Sequence, residues 1–244
     1  MKEMNLKPML TFQGKDLAKA FVVFWLIIFV VTSAVIIMVR VFLPQESVTN
    51  SQFSIYEVAG FVMALVTGIV AMREDLRMAL QHGIGRPTFF ISHLITSLLM
   101  AMLLSLGGMV LTYLGSWFLT GFDELTIQPL YHTVFHSHES MVAGGTAFVE
   151  NRAFDFSLYF IGLGLGTFLS ILFYRLNKPW NIAFAVALPV SFILFVSYAA
   201  PETSESVVSF PPGPWTVAFW MIIISCCFMA ISWLLLRKAS VKPI

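Results

Sequence analysis

Residues 89–119 read FFISHLITSLLMAMLLSLGGMVLTYLGSWFL, and no Asp, Glu, Lys or Arg occurs between Arg86 and Asp123. About 20 apolar residues suffice to cross about 30 Å of hydrocarbon as a helix. This run is longer, so it must tilt, bend near Gly107 and Gly108, or project beyond the bilayer. Five further apolar stretches flank it, and the chain is predicted to span a membrane six times, over 20–39, 54–72, 89–119, 156–174, 180–200 and 215–236. The stretches are continuous and not alternating, which argues against a β-barrel. The expected fold class is all-α: a single polytopic membrane domain covering residues 1–244, with six transmembrane helices, an N-terminal interfacial helix and a short cytoplasmic coupling helix.

Composition agrees with that reading. The chain is 58% hydrophobic and 11% charged, against about 25% charged residues in a soluble domain. Its net charge of +1 hides an asymmetry: of 14 cations, all but Arg40 and Arg152 fall in gaps that the six spans place on one side. An excess of Lys and Arg marks the cytoplasmic side, so both termini are expected in the cytoplasm and the chain in the plasma membrane. No cleavable signal peptide is expected, because the first apolar run is too long for one and no small-x-small site follows it. Cys226 and Cys227 are adjacent inside the last span and read as packing residues.

Leu6, Met9, Leu10 and Leu17 share one helical face, which predicts a short amphipathic helix at the cytoplasmic interface over residues 1–19, with Pro8 in its first turn. The largest non-spanning segment, 120–155, lies on the outer side and is long enough to fold over the mouth of the bundle. Arg175 to Pro179 form a tight basic turn, and Pro189 is expected to kink the fifth span.

No constellation for membrane-embedded catalysis is present. His-Glu-x-x-His is absent, Gly162-Leu-Gly-Leu-Gly166 has no nucleophile at a Gly-x-Ser position, and Glu57 is the only acid within a predicted span. The chain is therefore not expected to be an enzyme. The glycine run sits inside an apolar helix, which excludes a phosphate loop. Gly162 and Gly166 are four apart, which suits close helix packing within or between protomers. His132, His136 and His138, with Glu139, are weak candidates for a metal, and a solvated loop is their ordinary reading, so no metal is expected. Arg40 and Glu57 near the outer ends of the first two spans form a candidate pore-mouth charge pair, or Arg40 snorkels to the headgroups.

Residues 73–90 read REDLRMALQHGIGRPTFF. This stretch resembles the loop between the second and third spans of six-helix ABC exporter permeases of the Gram-positive bacterial type. That loop has a short acidic-basic helix, then Gly-x-x-Arg, then two aromatics opening the third span. The resemblance implies that Glu74–Gln81 is a coupling helix docking on a separate ABC ATPase subunit. Arg73, Glu74, Asp75, Arg77 and Arg86 would make its polar contacts, and Leu76 and Leu80 would enter a groove. The chain has no Gly-x-x-x-x-Gly-Lys-Ser/Thr of its own, so ATP and Mg would reside on the partner and this chain would bind no cofactor. A second permease copy or a related permease would complete the pathway, in a lipid bilayer and with no nucleic-acid partner. The implied cargo is amphipathic or hydrophobic: a peptide antibiotic, a toxic peptide, a lipid or a drug, with peptide-antibiotic export preferred. In many members of that family the larger outer segment lies between the fifth and sixth spans, whereas here it lies between the third and fourth. Two other classes stand beside this one: a non-transporting sensor or immunity protein using the His-rich outer segment, and an ion-coupled carrier dependent on Glu57.

Overall fold

The computed structural model describes residues 6–42, 51–52, 55–118, 125–126, 130–135, 145–175 and 213–237. They form helices α1 (Leu6–Phe42), α2 (Ile55–Gln81), α3 (Arg86–Phe118), a short α4 (Leu130–Phe135), α5 (Gly145–Arg175) and α6 (Pro214–Arg237). A two-residue parallel pair joins β1 (Ser51–Gln52) to β2 (Leu125–Thr126). Five helices, all but α4, are long and apolar enough to cross a membrane, and the chain is a multi-pass membrane protein. The predicted span over 180–200, with Pro189, lies outside the described residues.

Two expected helix breaks are absent. The interfacial helix over 1–19 and the first span over 20–39 are one continuous helix of 37 residues, about 55 Å long at 1.5 Å per residue. Gly14 does not interrupt it. The polar first turns stay with the bundle because Met9 and Gln13 are buried there. Met9 packs with Met72, Ala79, Phe89, Ile171 and Leu236. Likewise the second span and the expected coupling helix over 74–81 are one helix of 27 residues. No Gly or Pro falls between Met72 and Gln81, and the inward stripe Met72, Leu76 and Ala79 continues without a change of face. The helix stops at Gly83, whose φ of 72° suits glycine. The Ile84 amide donates to the Ala79 carbonyl at 2.9 Å and the Gly83 amide to Leu80 at 3.1 Å, the paired bonds of a Schellman ending. Gly85 then caps α3, with Pro87 in its first turn.

The fourth predicted span also begins earlier, at Gly145 and not Phe156. The outer segment 120–155 therefore gives its last residues to α5, and Asn151, Arg152 and Asp155 are helical. The third and last predicted spans, 89–119 and 215–236, correspond to α3 and α6.

Helix directions follow from the contacts. Gly60 meets Tyr159, Ala64 meets Gly162 and Ile69 meets Ser170, so α2 and α5 run parallel. Glu150 meets Trp215, Phe160 meets Ser225 and Phe168 meets Phe228, so α5 and α6 also run parallel. α1 and α3 run the opposite way, with Gln13 near Ser92 and Trp25 against Gly107. α3 crosses α2 and α5 on an antiparallel course, bringing His93 to Thr167 and Ser105 to Arg152. We call the end holding Lys15, Arg77, Arg86, Arg175 and Arg237 the basic end, and the end holding Glu57 and α4 the far end.

Backbone contact sets the closest crossing. A Cβ at Gly68 would stand 2.6 Å from the Leu163 carbonyl oxygen, and one at Gly166 would overlap the Leu65 carbonyl. On the next face of α5, a Cβ at Gly164 would stand 2.6 Å from Ser225 Oγ. Ser170 and Ser225 hydroxyls donate across the helix pairs to the Ile69 and Phe160 carbonyls at 2.9 and 2.8 Å. Small residues and interhelical hydroxyl bonds are what hold helices together where no hydrophobic force separates protein from lipid. The outward faces are apolar: Val22 and Leu26 of α1 are 60% and 62% exposed, and Leu99, Val110 and Phe219 likewise face out.

Gly166→Leu is expected to wedge α2 from α5 and to cost about 1–3 kcal/mol or more, read as a lowered thermal midpoint of the purified chain in detergent. Gly14→Ala meets nothing within 4 Å and is expected to raise the midpoint, by about 0.5–1 kcal/mol of helix stabilisation.

Candidate functional site

Two buried polar networks sit at opposite ends of the bundle, and they differ in how completely they are bonded. At the basic end Gln13 is the hub. Its Nε2 donates to Asp75 Oδ2 at 3.1 Å, while its Oε1 accepts from Ser92 Oγ at 2.7 Å; Thr96 Oγ1 lies 3.2 Å from the same oxygen and gives its proton to the Ser92 carbonyl at 2.6 Å. This ties α1, α2 and α3 together. Nearby, His93 Nε2 lies 2.9 Å from Thr167 Oγ1, whose hydroxyl donates to the Leu163 carbonyl at 2.8 Å. A hydroxyl has one proton to give, so His93 is the donor and carries its proton on Nε2.

The residues expected to form a coupling surface divide between two directions. Asp75 is held by Gln13, and Leu76 packs inward beside Met72 and Phe89. Arg86 Nη1 reaches the Leu236 and Arg237 carbonyls, each at 3.4 Å, at the C-terminus of α6, where cations suit the helix dipole. Glu74 and Arg77 are exposed, together with Met78, Gln81 and His82, and Leu80 is half-buried. The side chain of Arg73 lies outside the described residues. The end of α2 is thus braced from inside and presents a polar face with one methionine outward.

At the far end the chemistry is less settled. Glu57, in the first turn of α2, is fully buried, and its Oε2 accepts from the Leu130 amide at 2.9 Å, which anchors α4. On α5, Arg152 Nη1 lies 3.0 Å from Asp155 Oδ2 and donates to the Ser105 carbonyl at 2.7 Å, while Ser105 Oγ donates back to the Arg152 carbonyl at 3.1 Å. Tyr56 Oη and Thr112 Oγ1 are 3.0 Å apart; Thr112 donates to Gly108, so the tyrosine donates to Thr112. Several buried atoms have no hydrogen-bond partner: Glu57 Oε1, both amide atoms of Asn151, Asp155 Oδ1 and Oδ2, Arg152 Nε and Tyr159 Oη. The Arg152–Asp155 pair is therefore a contact of charges without a directed hydrogen bond. Buried side-chain polar atoms are nearly always bonded, so a concentration of exceptions marks a place where function is expected.

Glu57 therefore meets α4, one turn before Gly60, which packs on Tyr159 of α5; the side chain of its expected partner, Arg40, lies outside the described residues. His132 lies on α4 with its side chain outside the described residues, and His136 and His138 lie outside them entirely. Among the described residues no three His, Cys, Asp or Glu side chains gather as a metal would need. Gly162 and Gly166 lie on the seam with α2, within one chain. Sequence reasoning assigns residues up to Asp155 to the outer segment and so leaves out Asn151 and Asp155; Tyr159 falls within the predicted span but without a partner. Their spacing of four residues, continuing at helical spacing to Leu163, Gly166 and Ser170, is the available signal: it is one side of one helix.

An apolar cleft of about 420 Å³ lies between α1 and α3, lined by Phe21, Trp25, Phe29, Leu103, Gly107 and Leu111 among others. Trp25 Nε1 is buried without a partner beside Gly107.

Arg152→Met would leave two buried carboxylates without a positive neighbour and is expected to destabilise the chain by about 3–5 kcal/mol. The double change Arg152→Met with Asp155→Leu removes the pair together and is expected to recover most of that loss in the same unfolding measurement.

No protein-family model, no curated protein and no solved structure matches this chain.

Proposed function

We propose that this chain is the membrane subunit of an ATP-driven exporter, with both termini in the cytoplasm and the basic end facing it. The observation that carries the reading is the shape of the α2–α3 tip. α2 runs on past the apolar stretch without a break and ends in a Schellman turn. It is braced by Leu76, Ala79 and Ile84 in a cluster with Met9, Phe89, Ile171 and Leu236 of other helices, with Arg86 fastened to the end of α6. A rigid tip with Glu74, Arg77, Met78, Gln81 and His82 outward is suited to receive force from an ATPase and pass it to the spans. The resemblance of residues 73–90 to the permease loop supports the same assignment.

Six spans follow from the same reading. α5 and α6 both run toward the basic end, so between Arg175 and Gly213 the chain returns from that end to the far end, and the apolar run over 180–200 has the length to do it. The coupling surface is narrower than the sequence alone implies: Glu74, Arg77 and Met78 on its outer face, with Asp75, Leu76 and Arg86 acting through the bracing. The apolar walls of the α1–α3 cleft suit the amphipathic or hydrophobic cargo class.

Purification of the tagged chain from its native membrane in mild detergent, followed by mass spectrometry, is expected to recover a stoichiometric ATP-binding subunit. Arg77→Glu or Met78→Asp is expected to lose that subunit while the permease still purifies folded; Leu76→Asp should instead lower the yield of the permease itself. A folded chain that purifies with no ATPase would overturn the proposal and favour the sensor or immunity class.

A further inference from the structure

The described charges at the far end do not balance. Glu57 and Asp155 are each 0% exposed, and Arg152, with its side chain 13% exposed, is the only cation described beside them. With both carboxylates ionised the cluster carries one uncompensated negative charge away from solvent, which costs several kcal/mol unless something neutralises it. The first turn of α2 favours a carboxylate at Glu57, but a helix terminus carries only about half an elementary charge, so it does not replace a counter-charge.

The neutral groups around the charge are arranged for a ligand. Asn151, Asp155 and Tyr159 stand one turn apart along one side of α5; Tyr159 lies against Gly60 of α2, one turn from Glu57. Asn151 is 1% exposed with neither amide atom bonded, and Tyr159 is fully buried with a free hydroxyl. The open oxygens are Glu57 Oε1, Asp155 Oδ1, Asn151 Oδ1 and Tyr159 Oη. Among the described side chains, α2 adds Tyr56, which is committed to Thr112, and α3 adds only hydroxyls. From α4 comes Tyr131, which donates to Glu150 Oε2 at 2.6 Å; from α6, Trp215 donates to Glu150 Oε1 at 3.2 Å. Glu150 is thus engaged at the rim and not in the cluster. Hard oxygens around a single excess negative charge, with no imidazole or thiolate among them, match a small monovalent cation better than a transition metal.

We propose that Glu57, Asp155, Asn151 and Tyr159 form a binding site for one exchangeable monovalent cation, either a proton held by the two carboxylates or an alkali ion held by the four oxygens. The bound cation restores neutrality and holds α2 against α5 at the far end, and through the Glu57–Leu130 bond it steadies α4. The site is read on this chain alone and does not depend on an ATPase.

The test is the thermal midpoint of the purified chain in detergent. Sodium and potassium are titrated at fixed pH and ionic strength against a bulky organic cation, and pH is titrated separately without either metal. A ligand that binds only the folded state raises the midpoint with its concentration. A midpoint that climbs with sodium or potassium identifies an alkali ion; one that climbs only as pH falls identifies the proton. In both cases Glu57→Gln, which keeps an oxygen for the Leu130 amide, is expected to abolish the dependence. Should that variant not fold, Asp155→Asn is expected to abolish the dependence on pH, and Asn151→Ala and Tyr159→Phe, which each remove one oxygen or amide ligand of an alkali ion without changing charge, are each expected to weaken the alkali-ion affinity about tenfold, the effect of one lost bond of about 1.4 kcal/mol. A wild-type midpoint indifferent to all three titrations, a dependence that persists in Glu57→Gln or Asp155→Asn, or an alkali-ion affinity unchanged in both neutral variants overturns the proposal and returns the charge balance to Arg40.

Discussion

The close approach of α2 and α5 is the constraint on which the rest of the bundle depends. At Gly68 and Gly166 the two backbones touch with no side chain between them. α5 then carries α6 on its next face through Gly164 and Ser225, while α3 crosses both α2 and α5. In a bilayer the lipid tails solvate leucine as well as protein does, so shape and close contact decide which helices stay together. A seam this tight fixes the relative height of α2 and α5, and with it everything at the two ends. Met72 is set beside Ile171 at one end, and Glu57 near Asp155 at the other.

Between those ends the seam holds hydroxyls and small residues. Thr167 and Ser232 donate to carbonyls one turn back in their own helix, while Ser170 and Ser225 donate to carbonyls of the neighbouring helix. Backbone groups are satisfied within each helix, as hydrocarbon demands. The two networks that hold carboxylates and carboxamides lie at the ends of the bundle. There the two networks have different characters. The Gln13 hub has all its amide atoms bonded and acts as a fastening. The Asn151 amide has none of its atoms bonded, although it is as deeply buried. A satisfied network explains architecture; an unsatisfied one of the same burial points to chemistry.

Much of the fold was legible in the sequence because apolar runs and glycine turns act locally. The apolar runs over 89–119 and 215–236, found again in α3 and α6, rest on short-range physics. The missed continuity of α1 and α2 has a different origin. Polarity of residues 1–19 and 74–81 predicts separate helices outside the spans, but Met9, Gln13 and Leu76 find partners on other helices that no local pattern encodes. The far-end cluster was hidden by the same assumption: charge at Arg152 and Asp155 suggested a loop, whereas the two are three residues apart on a helix and face each other. Pairing at helical spacing outweighed hydropathy there, and only the position of α2 shows what else the pair meets.

Arg86 has a consequence for biogenesis. It opens α3, and the carbonyls it holds belong to Leu236 and Arg237, 150 residues later in the chain. At about 5–20 residues per second of synthesis, the arginine emerges roughly 10–30 s before its acceptors exist. During that interval α3 sits in the membrane with its entry charge supported only by headgroups and water. The last helix, on arriving, completes the basic end by giving its terminal carbonyls to a residue already in place. Assembly of this bundle thus has a latch that cannot engage until α6 has been made, and a chain interrupted before α6 leaves the ribosome with its α2–α3 tip unfastened.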